Sequence, residues 1–159
     1  IKALQNQSGS ESKHIGEDGD CAVATPTKAS DGIDYSFKLD HKSTCFVLFP
    51  HLKDTKYGSS VNLTSIVITS DNSNLAGTYT MSENGSLTLK SNGSQTVTIN
   101  TSDFVIDNKV ADQAKALYII VAPSTETSTL TFTLNFSYSS AGGTYSKTAS
   151  IKNATWDAG

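Results

Sequence analysis

The chain is 159 residues long, one domain's worth: enough to bury roughly two thirds of its unfolded surface around a single core, and too short for two independent cores. Only 17% of its residues are charged, against roughly 25% in an ordinary soluble domain, and 23 serines, 20 threonines and 10 asparagines supply the polarity instead. The net charge is −3 and all twelve basic residues are lysine, which argues against nucleic acid as a partner, because phosphate recognition leans on clustered basic side chains and on the arginine fork.

From residue 1 to about 30 the sequence is polar and interrupted by Gly9, Gly16, Gly19 and Pro26. Only the alternation of Cys21 and Val23 suggests a short strand, so the segment is expected to be an extended arm. After Asp31-Gly32, residues 35–39 alternate apolar and polar, and an apolar run over residues 44–49 closes at Pro50; both are expected strands. Residues 51–60 form a polar loop, and residues 63–69 a strand rich in β-branched side chains. Residues 77–82, 86–91 and 95–100 are three alternating runs separated by Asn84-Gly85 and Asn92-Gly93. Asn-Gly suits both central positions of a type I′ turn, so a three-stranded meander is expected.

A helical turn is expected only around residues 110–115. The run at residues 117–122 does not alternate, which implies a strand buried on both faces and central in its sheet. It is the longest apolar run in the chain, stops at Pro123, and falls far short of the eighteen or more residues that cross a bilayer, so no transmembrane segment is expected. Leu130, Phe132, Leu134, Phe136 and Tyr138 then alternate with polar residues, and Gly142-Gly143 turns the chain into a strand over residues 144–151, a second hairpin. About seven to nine short strands with almost no helix specify an all-β fold, an antiparallel β-sandwich over residues 31–159 behind the arm at 1–30.

The residues that carry chemistry are few. His14, His41 and His51 stand in no metal-binding spacing, Cys21 and Cys45 are too far apart for a short chelating pair, and Glu17-Asp18-Gly19-Asp20 lacks the alternating ligands of a calcium loop and reads as a solvated turn. No cofactor site is expected. Neither a Gly-x-Ser-x-Gly elbow nor a phosphate loop occurs. Ser43 and His41 are neighbours in sequence only, His41 reads as a structural histidine, and the expectation is a protein without catalytic activity. For Cys21 and Cys45 two readings stay open, one disulfide in an oxidising compartment or two buried thiols. Asn-x-Ser/Thr triplets, among them those at Asn62, Asn84, Asn92, Asn100, Asn135 and Asn153, are what chance supplies in so hydroxyl-rich a chain. Trp156 is expected to cap the core.

Two features ask for more than a plain sandwich. The segment from Ala154 to Gly159 ends in a turn residue where another strand is expected to follow, which would leave an edge for a partner strand to fill. The absence of arginine would leave the folded unit uncut by an arginine-specific protease. Ile1 is not a translation start, so an upstream segment is expected, either processed away or lying outside this sequence.

The stretch Tyr35-Ser36-Phe37-Lys38-Leu39-Asp40-His41-Lys42-Ser43-Thr44-Cys45-Phe46-Val47-Leu48-Phe49 resembles the strand, His, strand segment of the fimbrillin-like proteins of the Bacteroides group, the type V pilus subunits. Asp20-Cys21-Ala22-Val23-Ala24 is similar to the stretch that precedes that segment in the family, and residues 63–68 followed by Asn74-Leu75-Ala76-Gly77-Thr78-Tyr79 to its strand and Leu-x-Gly pattern. The apolar run ending at Pro123, and Trp156-Asp157-Ala158-Gly159, resemble its later motifs. The resemblance implies a transthyretin-like sandwich, exported as a lipoprotein to the outer-membrane surface, trimmed there by a protease, and polymerised by strand donation. The family usually has a longer N-terminal part and a second C-terminal domain, so the chain is expected to be a fragment or one domain of a subunit.

The expected function is therefore a non-catalytic fimbrial subunit or adhesin whose partners are other fimbrial subunits and a host or bacterial surface ligand, with Leu130, Phe132, Leu134, Phe136 and Trp156 at the subunit interface and the open groove beside the strand at residues 130–138. The alternative is a cell-surface carbohydrate-binding module. Sugar platforms need clustered exposed aromatics, and only Tyr57 and Tyr79 fall outside core-facing positions.

Overall fold

The computed structural model describes residues 1–52, 60–107, 115–137 and 143–159. Its elements are β1 (Leu4–Ser8), α1 (Ile15–Asp18), β2 (Ala22–Val23), β3 (Thr27–Lys28), β4 (Tyr35–Ser36), β5 (Asp40–His41), β6 (Thr44–Leu48), β7 (Ser60–Ser70), β8 (Ala76–Met81), β9 (Leu87–Ser94), β10 (Thr96–Asp107), β11 (Leu117–Val121), β12 (Ser124–Ser137) and β13 (Thr144–Trp156). The fold is all-β and sandwich-like. One layer is a five-stranded sheet in the order β1-β10-β7-β12-β13, antiparallel except that β1 runs parallel to β10. Against it packs the antiparallel pair β11-β6; β8 with β9, β2 with β5 and β3 with β4 form three smaller pairs.

Alternation, reset by a register irregularity between the Asn100–Ser65 and Phe104–Leu63 pairs, puts Val61, Leu63, Ile66 and Ile68 of β7, Val97, Ile99, Phe104 and Ile106 of β10, and Leu130 and Phe132 of β12 on the inner face of the large sheet. They meet Leu117, Ile119 and Val121 of β11. Ile120, of opposite parity, is also buried, so β11 is covered on both faces, as its unbroken apolar run implies. It is not central in a sheet, however, because among the described residues β6 is its single strand partner. The expected hairpin of β12 and β13 forms, with Leu130 opposite Ile151 and Phe136 opposite Tyr145; its turn lies outside the described residues. The same holds for the helical turn expected at residues 110–115, apart from Lys115, and for most of the loop at 51–60.

Four further expectations give way. The described strands are more numerous than the seven to nine foreseen, because two-residue pairs decorate the segment between α1 and β6, and the long strands run to 14 residues. The meander does not form: β8 pairs with β9, but β10 crosses into the large sheet. Gly85 N donates to Ser82 O with Gly85 at φ 85° and Asn84 at ordinary negative φ, a type I turn closed by a left-handed glycine instead of type I′. Asn92, at φ 55°, and Gly93 lie within β9, where a Cβ on Gly93 would stand 2.8 Å from Asn74 Oδ1; here Asn-Gly serves a close approach and not a hairpin. The residues 35–39 expected to form a strand are exposed, with only Tyr35–Ser36 in a pair.

The fourth correction concerns the arm. Residues 4–8 are an edge strand of the main sheet, and Gln5 and Gln7 are buried. Gln5 Oε1 accepts from Ile120 N at 3.0 Å and Gln5 Nε2 donates to Ile120 O at 2.6 Å. Gln7 Oε1 accepts from Tyr118 N and Gln7 Nε2 donates to Ala116 O, both at 2.9 Å. Two side-chain amides thus take the place of a neighbouring strand along one edge of β11 and tie the layers together. Replacing Gln5 by Leu keeps the volume but strands a buried N–H and C=O, so Gln5→Leu is expected to lower unfolding free energy by about 3 kcal/mol in urea titrations.

Beside the start of β12, Asp71 Oδ1 accepts from Thr129 N at 2.7 Å, and that backbone donor holds the Asp71 carboxyl below the usual carboxylate range. A depressed folded pKa stabilises above the unfolded value, about 3.9, and is lost as pH falls through the folded one. Melting temperature followed from pH 6 downwards should therefore drop less steeply in Asp71→Asn than in the parent chain.

Candidate functional site

β6 is a bare edge. Tyr118 and Ile120 turn their N–H groups to the glutamines, away from β6. In an antiparallel pair, residues directly opposite either bond each other or both point away; Val47 lies opposite Tyr118 and Cys45 opposite Ile120. The main-chain N–H and C=O groups of Cys45 and Val47 consequently point out of the sheet on the side away from β11. Among the described residues no strand pairs there. Bonds do form at the start of that edge, where Gly159 N donates to Ser43 O at 3.2 Å and Thr44 Oγ1 donates to Asp157 O.

Next to this edge runs an apolar groove of about 520 Å³. Phe46 and Leu48 of β6 form one wall, Leu130 and Phe132 the floor, and Ile151, Ala154 and Trp156 the far side. Trp156 is fixed by an Nε1–H bond to Ala122 O at 2.7 Å and by the edge of Phe46, ring centroids 6.0 Å apart; Phe46 also meets Phe132 at 6.4 Å. The groove exists because the second layer is narrower than the first. Ile151, Ala149, Lys147 and Tyr145 of β13 stand opposite Leu130, Phe132, Leu134 and Phe136 and so share the inner face, yet no described strand covers them, and Ile151 is 54% exposed.

Of the residues expected at an interface, Leu130, Phe132 and Trp156 come together in this groove. Leu134 and Phe136 lie farther along β12, half-buried, with Phe136 stacked on Tyr145 at 6.2 Å. The groove is floored by Leu130 and Phe132 of β12, but β12 itself has no open edge, because it is hydrogen-bonded to β7 on one side and β13 on the other. The free rungs belong to β6.

The remaining polar candidates are structural. Asp20 Oδ1 receives both His41 Nδ1 at 3.0 Å and the Ser43 hydroxyl at 2.7 Å, so Ser43 is bonded to the acid and not to the imidazole. Asp18, expected in a solvated turn, is buried at the end of α1 and paired with Lys2 at 3.3 Å. Cys21 and Cys45 are free thiols, and burial, with the Asp20 charge adding to it, pushes both up. Among the described residues no group of three or more His, Cys, Asp or Glu side chains is placed to hold a metal ion, and no helix is long and apolar enough to cross a membrane. Tyr79 is half-buried and Tyr57 lies outside the described residues, while Trp156 turns no open face to solvent. Compared with known protein families, curated proteins and solved structures, the chain gives no match.

Sequence reasoning missed β6 as the open edge, because a five-residue apolar run looks the same whether its second neighbour is present or not. Removing the indole N–H leaves a buried carbonyl unpaired, so Trp156→Phe is expected to destabilise the fold by about 1–2 kcal/mol, read by urea denaturation.

Proposed function

We propose that this protein is a non-catalytic, fimbrial-type subunit or adhesin of the bacterial cell surface, anchored at the outer membrane, whose molecules join by adding a β-strand to one another. The observation that carries this reading is the β6 edge: two residues with main-chain groups turned outward, beside a groove floored by core side chains. Strand addition needs both parts, main-chain bonds for affinity and pockets at every second residue for specificity.

Soluble proteins protect sheet edges with charge, proline, bulges or covering segments. The other long edge, β13, carries Lys147 and Lys152. β6 reads Thr-Cys-Phe-Val-Leu, with no charge, no proline and an unbroken register with β11. An unprotected apolar edge beside an unfilled groove fits a surface kept for a partner strand. The fimbrillin-like motifs around residues 35–49 and 154–159 bear on the same two places, β6 and the segment that touches Ser43. A hydroxyl-rich, arginine-free surface suits an exported structural protein, in which many copies must stay soluble until they join.

The test is an edge block. Val47→Pro removes the outward N–H without breaking a bond to β11, since the Val47 main chain does not face Tyr118. The parent chain is expected to form concentration-dependent oligomers in sedimentation velocity, and Val47→Pro to stay monomeric with its melting temperature within a few degrees of the parent. A proline variant that assembles like the parent would show that β6 is not the joining edge.

A further inference from the structure

We infer that the strand that fills the β6 groove comes from segment 33–39 of a second copy of this chain, laid parallel to β6. This rests on the strand-addition reading above and names the occupant.

Segment 33–39 is the most anomalous surface of the molecule. Ile33 is 80% exposed, Tyr35 60%, Phe37 67% and Leu39 55%. They alternate with Asp34, Ser36 and Lys38, so in an extended chain all four large apolar side chains project from one side. That is the pattern of a strand with one face in a core, and here no core meets it. The segment is held out by the β3-β4 hairpin, whose tip is set by Asp31 Oδ1 accepting from Ile33 N at 2.9 Å and Asp34 N at 3.0 Å.

The direction follows from which main-chain groups are free. Ala29 N donates to Asp34 O, and Thr27 lies opposite Ser36, so Asp34 and Ser36 face β3 while Tyr35 faces the open side of the hairpin. On β6 the outward-facing residues are Cys45 and Val47, and their side chains point away from the groove; Phe46 and Leu48 point in. In an antiparallel pairing, bonding residues lie opposite one another with side chains on the same face, which would turn Tyr35 and Phe37 out of the groove. In a parallel pairing a bonding residue lies opposite a non-bonding one, which sets Tyr35 beside Phe46 and Phe37 beside Leu48, both facing inward. Four bonds result: Cys45 N–H to Ile33 C=O, Tyr35 N–H to Cys45 C=O, Val47 N–H to Tyr35 C=O, and Phe37 N–H to Val47 C=O. These satisfy every outward group of Cys45 and Val47.

The same geometry excludes the chain's own segment. Only residues 40–43 separate Leu39 from Thr44, whereas parallel neighbours need a crossover of a dozen or more residues, and β5 is already paired with β2. Charge favours the docking as well: residues 31–40 carry Asp31, Asp34 and Asp40 against Lys38, while β13, the strand the incoming segment would cover, carries Lys147 and Lys152 and no acid. Donor and groove are different surfaces of one chain, so the contact is head-to-tail, and unless the rotation between copies closes a ring it propagates into open filaments.

The experiment compares four samples by sedimentation velocity at matched concentration: the parent chain, a donor variant (Tyr35→Ser with Phe37→Ser), a groove variant (Ile151→Asp), and an equimolar mixture of the two variants. All the altered side chains are exposed in the monomer, and melting curves check that each variant folds. The parent is expected to form a ladder of oligomers, each variant alone to associate roughly tenfold or more weakly, and the mixture to stop at heterodimers, since only one donor and one groove remain intact in each pair. Register is read separately by oxidising Ser36→Cys with Val47→Cys in a chain with Cys21→Ser and Cys45→Ser; the parallel alignment sets these positions side by side, and a 36–47 link between molecules is expected. A donor variant that assembles like the parent while the groove variant does not would refute segment 33–39 as the occupant and leave the groove reading intact. Parent-like assembly by both variants would refute the groove as well. A parent chain that stays monomeric, or a donor variant whose only effect is a lower monomer melting temperature, would equally overturn the proposal.

Discussion

The edges of a two-stranded layer govern this molecule. β11 and β6 lie across a five-stranded sheet, and a layer that narrow has two edges to dispose of, each a row of N–H and C=O groups that costs free energy when buried without partners. One edge is sealed from within: Gln5 and Gln7 reach across from β1 and bond the main chain of Ala116, Tyr118 and Ile120. The other, along Cys45 and Val47, has no strand partner among the described residues. The first arrangement determines the second, because it fixes which β11 residues bond β6 and therefore which β6 residues turn outward.

The rest of the fold accommodates that asymmetry. The large sheet extends one strand beyond its cover, which exposes the inner face of β13 and hollows the groove between Phe46 and Ile151. Trp156 holds the floor in place through Ala122, and the chain after it reaches back to Ser43 and Thr44 at the start of the open edge. Around the rim the bonding is carried by hydroxyl groups: Ser73 Oγ meets Ser124 Oγ and Ser128 Oγ, each at 2.8 Å, and Ser70 Oγ accepts from Ser73 N. Such a network uses short side chains with little rotamer entropy to lose, which explains how a chain with so few charges ties its loops to its sheets.

Much of this architecture is legible in the residues. Alternation over 130–138 and 63–69 identifies the strands of the large sheet, and the unbroken run at 117–122 identifies the strand buried on both faces. Alternation reports only that one side of a strand is apolar. It does not say what covers that side, and so residues 35–39, patterned like a strand with one apolar face, proved to be exposed, while Gln5 and Gln7, in a stretch patterned like a solvated arm, proved to be buried. Asn84-Gly85 and Asn92-Gly93 are the same dipeptide, and only Gly85 closes a hairpin; the second answers to Asn74 packing against it.

The amino-acid sequence by itself determined the fold class, the principal strands and the place of the aromatic anchors Phe132 and Trp156, because backbone periodicity and side-chain polarity are local properties of the chain. Which edge stays open was decided by tertiary structure alone. Edge pairing is a contest among distant segments for the same main-chain groups, and it was settled when two glutamine side chains, more than a hundred residues away in sequence, occupied one flank of β11 and left β6 to face solvent on the other.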